Sequence, residues 1–492
     1  MPAGATVSTG AEPSVTSVTS LPDDGPTARP PAPPRGRDED PRRSPGALDE
    51  LRARLQAALA KTAKTAKTPK KENTGPSSSR EGREGVDAFD GPMAPMAPMA
   101  PRPGEPTGAS GEVEPLPFQT EETPLGPLHF RRVQLSPAHR VGRTPVLPGR
   151  TCSPELLALL ALDSSLAACD GGQALYLDTE TTGLAGGTGT VPFLVGLAFW
   201  QDREDERGGD GGGGGLVVEQ LLVRNLGEEA PVLAHVARRM AQASMLVTFN
   251  GKSFDMPLLR TRYVMAQLPP PPALPHLDLV HVARRLHKPR GIECKLTSLE
   301  RNILGFERVD DVPSSEIGAI YMHYLRTGDT RGLHGVIEHN VWDIVTMAAL
   351  VGLYGEPLEG TSLHADDLAG VARTFRRAGH LDEAYRVAHE AVERGGGALP
   401  LQVRGELHKA RGDRERALLD FEALASSVDS PAARLELAKL YEHHVKAPAA
   451  ALAMVEQGTG ERTEEAARRR ARLEEKLQKE KQMGLPGLRR RR

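Results

Sequence analysis

Hydrophobic and polar positions follow a definite order between residues 154 and 355. PELLALLAL predicts a helix with Pro154 in its first turn, and short apolar strands follow at ALYLD, VPFLVGLAFW and LVVEQLLV. The pattern then alternates between the helix EEAPVLAHVARRMAQA, the strand MLVTF, a helix near Asp255, the strand HLDLV and another helix. Three consecutive strands followed by alternating helices and strands predict an α/β domain, with a mixed sheet flanked by helices.

From residue 361 the pattern becomes helical and repetitive. RRAGHLDEAY at 376–385 aligns with KARGDRERAL at 409–418 at a shift of 33 residues, and a third unit follows. A period of about 33–34 residues with small residues at fixed helix positions is typical of tetratricopeptide repeats. We therefore predict an all-α, tetratricopeptide-like domain over 361–460, followed by a charged helix with a frayed basic end over 461–492.

The first 117 residues lack the apolar pattern of a folded domain. Of the 41 prolines in the chain, 21 lie before residue 126, and Phe89 is the only aromatic residue before Phe118. So few core-forming residues cannot offset the entropy lost on ordering the backbone, so we predict disorder over 1–117. Within it, the leucines of ALDELRARLQAALA share one helical face, which predicts a short helix at 47–60. This helix would dock on a partner or on the protein's own folded part, or would be transient.

Charge and cysteine content narrow the classes of protein. The net charge of −3 excludes a strongly basic nucleic-acid binder, so any contact with nucleic acid needs a local patch. Cys152, Cys169 and Cys294 form no CxxC pair, which disfavours a disulfide scaffold or a structural zinc site. The first residues do not resemble a signal peptide, and we see no apolar run near the ~20 residues of a membrane span. These features predict a soluble, cytoplasmic protein.

Two carboxylates are expected on one face at the end of the strand ALYLD. In DTETTGL, Asp178 and Glu180 point the same way because side chains alternate along a strand. Two such close carboxylates repel each other unless a cation lies between them, and Mg²⁺ prefers carboxylate oxygens. The pair therefore indicates a metal site, although Asp-x-Glu alone also occurs on solvated strand faces.

A second motif, TFNGKSFDMPLL, predicts a strand, a turn and a helix. Asp255 lies near the helix start, which fits either a metal ligand or an ordinary acid of the first helical turn. Asn250 and Lys252 in the turn are candidate nucleic-acid contacts, since they could bind a phosphate or orient the carboxylate. A solvated side chain is the alternative for Lys252.

A third motif, EHNVWDIVTMAALVGL, predicts an apolar-faced helix in which His339 lies one turn before Asp343. A histidine there could deprotonate or orient a water molecule, because its ordinary pKa is near neutrality. The pair could equally be a plain surface contact.

Basic and aromatic residues supply further candidates for nucleic-acid binding. HVARRLHKPR and the lysine that follows it either track a phosphate backbone or form a solvated helix face. The basic residues are Arg284, Arg285, Lys288, Arg290 and Lys295. Four aromatic residues are candidates for stacking on unpaired bases, and packing in the core is the alternative for each of them. These are Phe193, Phe249, Phe254 and Trp342.

Taken together, the motifs resemble the DEDD exonucleases of the ribonuclease H-like superfold. Within that group the chain is most similar to the YprB-type family, which couples such a domain to tetratricopeptide repeats. The similarity covers about 118–355 and includes GGTGTVPFLVGL, HLDLVHVARRLH and CKLTSLERNILGFERVDDV. The resemblance implies a ribonuclease H-like nuclease domain over 118–355.

The resemblance also assigns roles to the acids and to the histidine. It implies that two Mg²⁺ or Mn²⁺ ions are held by Asp178, Glu180, Asp255 and Asp343. It places His339 where the superfamily has a catalytic histidine or tyrosine. The spacing from His339 to Asp343 is H-x3-D, as in the tyrosine subgroup, whereas the histidine subgroup has H-x4-D.

The function that the resemblance implies is 3′ to 5′ exonuclease activity on DNA or RNA, by a two-metal mechanism. Nucleic acid is then the substrate, and the helical repeats are a candidate site for a protein partner. Two alternatives remain open. One is an endonuclease with the same chemistry, and the other is an inactive nucleic-acid-binding scaffold that acts through its repeats. Four clustered acids favour an active enzyme, because an inactive site has little physical reason to retain them.

Overall fold

The structure is a computed structural model that describes residues 115–183, 188–201 and 215–483. All of these residues belong to one compact unit. The predicted short helix at 47–60 and the predicted disorder over most of 1–117 lie outside the described residues, as does the basic end of the tail.

A mixed sheet forms the centre of the fold, as predicted. The strands are β1 Gln119–Thr123, β2 Gly126–Leu135, β3 Arg140–Val141, β4 Thr144–Pro145, β5 Ala174–Thr181, β6 Pro192–Gln201, β7 Gly215–Leu222, β8 Met245–Thr248 and β9 His276–Asp278. Seven of them form one sheet in the order β1-β2-β7-β6-β5-β8-β9, and β3 pairs with β4 in a separate hairpin. Strand β5 is antiparallel to β6 and parallel to β8, so the sheet is mixed.

The β1–β2 hairpin extends the sheet beyond the strands predicted from the sequence. Strand β2 pairs antiparallel with β7. Its sequence, GPLHFRRVQL, carries charged side chains on both faces, so it lacks the alternation that identifies a strand. Partners in β7 explain these charges: Arg131 donates to Gln220 at 3.0 Å and Arg132 donates to Glu219 at 2.7 Å.

Helices cover both faces of the sheet and form the C-terminal region. The described helices are α1 Pro154–Ala161, α2 Ala230–Met240, α3 Asp255–Met265, α4 Leu279–Leu286, α5 Leu296–Leu299, α6 Ser314–Thr327, α7 Arg331–Gly355, α8 Ala365–Arg377, α9 Leu381–Glu393, α10 Ala398–Ala410, α11 Arg414–Ser427, α12 Pro431–Leu440, α13 Pro448–Glu456 and α14 Thr463–Met483. Two π-helical turns lie at Glu300–Leu304 and Tyr441–Val445. Helices α2 and α3 pack on one face of the sheet, and α7 packs on the other.

Alternation along β5 divides its side chains between two cores. Leu175 and Leu177 join the cluster under α2 and α3, whereas Ala174 and Tyr176 join the cluster under α7. Each fully buried leucine stabilises the fold by about 1.5–3 kcal/mol relative to an exposed one. Both faces of the strand are therefore held by apolar packing, which fixes the direction of the carboxylates at its end.

Helix α7 is the central helix of the fold. Among the helices that the structure describes, it alone has the length and apolar composition of a membrane span. This contrasts with the expectation of no apolar run of that length. However, 83% of the apolar stretch is buried inside the protein, between the sheet and neighbouring helices. Such burial is typical of a core helix, which is largely apolar because protein surrounds it.

The C-terminal region consists of helices that recur with a fixed spacing. Helices α8, α10 and α12 begin at Ala365, Ala398 and Pro431, which are spaced by 33 residues. Gly379 and Gly412 occupy equivalent turns, and both have positive φ values, of 90° and 81°. The period of the sequence thus matches the spacing at which these helices begin in the structure. That these helices belong to the tetratricopeptide class stays a prediction.

The predicted charged tail is a helix over much of its length. On α14, Arg472 and Lys476 donate to the buried carboxylate of Glu442 at 2.7 and 2.8 Å. Leu473 of the same helix is fully buried. Helix α14 is therefore docked on the preceding helices rather than fully solvated.

Helix α8 packs directly on the sheet-containing part of the chain. His287, just after α4, lies 2.9 Å from the hydroxyl of Tyr354 and 3.0 Å from a carboxylate oxygen of Asp367 on α8. All three side chains are buried. This polar contact joins the two predicted domains inside one compact unit.

Candidate active site

The four acids predicted as metal ligands converge at the end of β5. Asp178 and Glu180 lie on β5, Asp255 opens α3, and Asp343 lies on α7. Burial raises the pKa of Asp178 well above its ordinary value, and the carboxylates of Asp343, Glu180 and Asp255 raise it further. This mutual effect shows that three separate segments place their carboxylates close enough to repel one another.

Glu180, His339 and Asp343 form the tightest part of the cluster. The Nε2 atom of His339 lies 3.9 Å from Glu180 Oε1 and 3.5 Å from Asp343 Oδ2. One atom from each side chain can be chosen so that all three lie within 4.8 Å of one another. Burial, followed by the charge of Asp343, raises the pKa of Glu180 to about 8.

Asp255 faces β5 and is not an ordinary exposed acid of a first helical turn. Its side chain is buried, and its Oδ1 accepts a hydrogen bond from Thr179 Oγ1 at 2.6 Å. Burial raises the pKa of Asp255 to about 6, although the hydrogen bond from Thr179 opposes that change. Thr179 thus fixes the Asp255 carboxylate. Its side chain lies on the opposite face of β5 from those of Asp178 and Glu180.

Asp311, in the loop before α6, orients His339. Its Oδ1 lies 2.6 Å from His339 Nδ1, so Nδ1–H donates to the carboxylate and Nε2 faces the other acids. Burial alone would lower the pKa of His339, but the hydrogen bond to Asp311 and the charges of Asp343 and Glu180 raise it. Asp311 was not among the predicted site residues, although it lies in the family-like segment FERVDDV.

A buried cation, Arg308, balances part of the negative charge. Its guanidinium is 3% exposed and donates to Glu300 at 2.8 and 2.6 Å. It also pairs with Asp343. Although burial opposes the charged form, Asp343 and Glu300 raise the pKa of Arg308 above its ordinary value. Arg308 was not among the predicted site residues, because a lone arginine in a loop carries no local signal.

A cleft of about 960 Å³ opens beside Asp178 and Asp255. Phe249 and Phe254 line it, and Phe254 is 60% exposed. Phe193, by contrast, is fully buried and stacks on Tyr321 with ring centroids 3.9 Å apart. Trp342 is half-buried against the core, with the guanidinium of Arg308 5.6 Å from its ring centroid. Phe193 and Trp342 therefore pack in or against the core, whereas the exposed ring of Phe254 lines the cleft.

Asp278 anchors the turn of the second motif. Its carboxylate accepts the backbone N–H of Asn250 at 2.7 Å and that of Lys252 at 3.0 Å. Asn250 has a φ of 69°, a left-handed conformation that asparagine tolerates. Asn250 lines the cleft, whereas the Lys252 ammonium lies 3.7 Å from Asp163. Asp278 was not among the predicted site residues, although it lies in the predicted strand HLDLV and is the last residue of β9.

The predicted basic patch lies away from the lining of this cleft. Arg285 donates to the carbonyl of Leu160 at 3.0 Å, and Arg290 pairs with Asp367 at 3.1 Å. Lys295 pairs with Glu293 at 2.8 Å on the surface. The side chains of the two other predicted basic residues, Arg284 and Lys288, are exposed. The structure therefore brings the acids together but does not bring these cations to them.

Known proteins resemble the part of the chain that carries this site. Residues 175–354 match the RNase_H_2 family of the RNase H superfamily. The uncharacterized protein YprB of Bacillus subtilis (strain 168) is 31% identical over 297 residues, covering 57% of this chain and 68% of YprB. The chain belongs to the ribonuclease H superfamily and, within it, to the YprB-type family.

A solved structure also shows a limited similarity. The family B DNA polymerase from the hyperthermophilic archaeon Pyrobaculum calidifontis is 12% identical, with a TM-score of 0.28. The match covers 48% of this chain and 29% of the polymerase. A similarity of this size adds nothing to the assignment of fold or function.

Proposed function

We propose that this protein is a metal-dependent nuclease of the DEDD type, acting as a 3′ to 5′ exonuclease on DNA or RNA. The observation that carries the proposal is the cluster of buried and half-buried carboxylates beside His339 in a chain of the ribonuclease H superfamily. Nucleic acid is then the substrate class. The helical C-terminal region is a candidate surface for a protein partner.

The donor set fits divalent metal ions. Carboxylate oxygens are the ligands that suit Mg²⁺ or Mn²⁺. Neighbouring acids raise the pKa of Asp178 and Glu180, so the ionised carboxylates repel one another and a cation bound among them would relieve that repulsion. Asp178, Glu180, Asp255 and Asp343 are the residues that would hold two ions. When bound, such ions activate a water molecule and stabilise the leaving oxygen of a phosphodiester.

His339 is the residue in position to move a proton. Its Nδ1–H is committed to Asp311, so Nε2 is the nitrogen that can accept a proton from the attacking water. The negative charges of Asp343 and Glu180 stabilise the imidazolium that results. In this mechanism Asp311 fixes the tautomer and the ring orientation, and His339 acts as the general base.

The cleft provides the surface for the nucleic acid. Phe254 is exposed and Phe249 is partly buried, and both line the cleft next to Asp255. Aromatic side chains in such a position stack on unpaired bases without reading their sequence, at about 1–3 kcal/mol per base. An enzyme of this kind grips the backbone and the end of a strand.

The direct test is a nuclease assay of the full-length protein with Mg²⁺ or Mn²⁺ on end-labelled single-stranded DNA and RNA. We expect Asp178→Ala to lower the rate about a thousandfold or more, equivalent to ~4 kcal/mol of barrier. Asp382→Ala, which removes an exposed acid of α9, is the matched control and should retain the wild-type rate. A stepwise ladder from the 3′ end supports the exonuclease, whereas internal cuts support an endonuclease.

Two outcomes would contradict the proposal. If Asp178→Ala degrades substrate as fast as the wild type, the site is wrongly assigned. If the wild type cuts no substrate with either metal, the inactive scaffold becomes the better hypothesis.

The role of His339 has its own test in the same assay. His339→Ala should lower the rate by about 10²–10⁴ if the imidazole is the general base. A rate near that of the wild type would leave His339 with a structural role only.

A further inference from the structure

A row of residues crosses the sheet directly beneath α7. Asp178 on β5 lies opposite Gly196 on β6, and Gly196 lies opposite Gln220 on β7. These three positions share one face because opposite residues in antiparallel strands point the same way. Asn340 of α7 packs against this row and is fully buried.

Asn340 connects the two ends of the row by hydrogen bonds. Its Nδ2 donates to Asp178 Oδ2 at 2.9 Å, and its Oδ1 accepts from Gln220 Nε2 at 3.0 Å. The same Nε2 donates to the carbonyl of Ile337 at 2.8 Å, and Gln220 Oε1 accepts from Arg131 at 3.0 Å. A carboxylate can only accept, so this network fixes which end of each amide faces which partner.

Gly196 leaves the space that Asn340 occupies. A Cβ atom at position 196 would lie 2.2 Å from Asn340 Oδ1 and 2.2 Å from Ile344 Cδ1. Both distances are far below van der Waals contact. A side chain at position 196 would therefore push aside the end of the Asn340 side chain, whose amide donates to the Asp178 carboxylate.

We propose that Asn340 is a positioning residue for the metal ligand Asp178, and that Gln220 acts through Asn340. This inference rests on the proposed metal-dependent function. The amide holds Oδ2 of the carboxylate and leaves Oδ1 for a cation. An amide suits this role because it donates a hydrogen bond without adding a positive charge that would compete with the ion. Outer hydrogen bonds of this kind orient ligands and tune metal affinity.

The experiment is Mn²⁺ titration of the full-length protein by isothermal calorimetry, without nucleic acid. We expect Asn340→Ala to weaken Mn²⁺ binding by about 10–100-fold. Gln220→Met, which retains the volume of the side chain, should weaken it by a smaller factor. In the double variant, Gln220→Met should add no further loss, because its effect passes through Asn340.

Two further variants separate positioning from general damage to the fold. Val345→Ala removes apolar volume from the buried face of the same helix, so it should lower the melting temperature but retain the Mn²⁺ affinity. If Asn340→Ala does not fold, Asn340→Leu decides the question, since it fills the same space without a donor.

Different results overturn different claims. Wild-type Mn²⁺ affinity in a folded Asn340→Ala or Asn340→Leu protein overturns the positioning role, while loss of binding in Asp178→Ala keeps the metal site. Independent, additive losses in the double variant overturn the action of Gln220 through Asn340. If the wild type binds no Mn²⁺, the proposed metal site fails and the positioning role fails with it.

Discussion

The two faces of the central sheet bury carboxylates in opposite electrostatic surroundings. On the face under α2, the fully buried Glu219 accepts hydrogen bonds from Arg132 at 2.7 Å, from Arg239 at 2.9 and 3.0 Å, and from His235 at 2.7 Å. Burial alone would raise the pKa of Glu219, but the hydrogen bonds and charges of His235 and Arg239 lower it well below its ordinary value.

On the face under α7 the balance is reversed. The carboxylates of Asp178 and Glu180 on this face, and that of Asp255 at the start of α3, all have raised pKa values, for which burial is the first cause. Arg308 pairs with Asp343 and shares its charge with Glu300. A buried acid that has its cations within the chain serves the fold, whereas a group of buried acids in excess of cations favours binding of cations from solution.

The largest contrast should come from neutralising one acid on each face. We expect Glu219→Gln to destabilise the protein by about 3–5 kcal/mol, because it leaves buried cations without their partner. Glu180→Gln in EDTA should leave stability unchanged or increase it, because it removes a group whose ionised form is disfavoured in the folded protein by burial and by neighbouring acids. Urea unfolding of both variants measures the difference, and equal destabilisation by the two would contradict the comparison.

Divalent ions should stabilise the protein through the proposed metal site and not through the Glu219 network. At a Mn²⁺ concentration of a hundred times Kd, the wild type should gain about 2.7 kcal/mol over the protein in EDTA. Asp178→Ala should lose this gain, and Glu219→Gln should retain it despite its lower starting stability. The urea midpoint with and without Mn²⁺ provides the measurement. A Mn²⁺ effect that survives Asp178→Ala would place the ion elsewhere.

The pH dependence of stability should also differ between the faces. Because the folded protein keeps a proton on Glu180 up to about pH 8, against an ordinary value of 4.5, it binds more protons than the unfolded chain within that range. In EDTA, this group should therefore lower stability as the pH rises, by up to about 1.4 kcal/mol per pH unit. Unfolding curves of wild type and Glu180→Gln should converge near pH 4.5 and diverge towards pH 8. Parallel curves would contradict the raised pKa.

The smallest expected effect is the difference in stability loss between substitutions of the two arginines that pair with Glu219. The side chain of Arg132 is 49% exposed, so Arg132→Ala should lower stability by about 1 kcal/mol or less. Arg239→Ala should have the larger effect, since its side chain is 17% exposed and its guanidinium lies 4.0 Å from the ring centroid of Phe199. The reverse order in urea would show that burial does not set the strength of these pairs.

The sequence pattern predicted those parts of the site whose residues lie within one strand or one helix. Strand alternation placed Asp178 and Glu180 on one face, and helical periodicity placed His339 one turn from Asp343. The order of strands and helices also predicted the mixed sheet, because each core strand is a short apolar run. The β1–β2 hairpin escaped prediction since its arginines are balanced by β7, which follows about 90 residues later.

The residues that surround the acids depend on long-range packing instead. Gln220 and Asn340 meet only because β7 and α7 share one face, although 120 residues separate them in the chain. Arg308 carries no periodic signal and acquires its role from Glu300 and Asp343. Conversely, the charge pattern that suggested a basic patch could not reveal that Arg290 has a partner in α8.

Gly196 has a consequence for how relatives of this protein are compared. A homologue could retain all four acids and still carry a larger residue opposite the first aspartate. The close packing at Gly196 predicts that such a protein would have a shifted Asn340 side chain and a weaker form of the proposed metal site. When family members are compared for activity, the residue at the position of Gly196 should be considered together with the four acids.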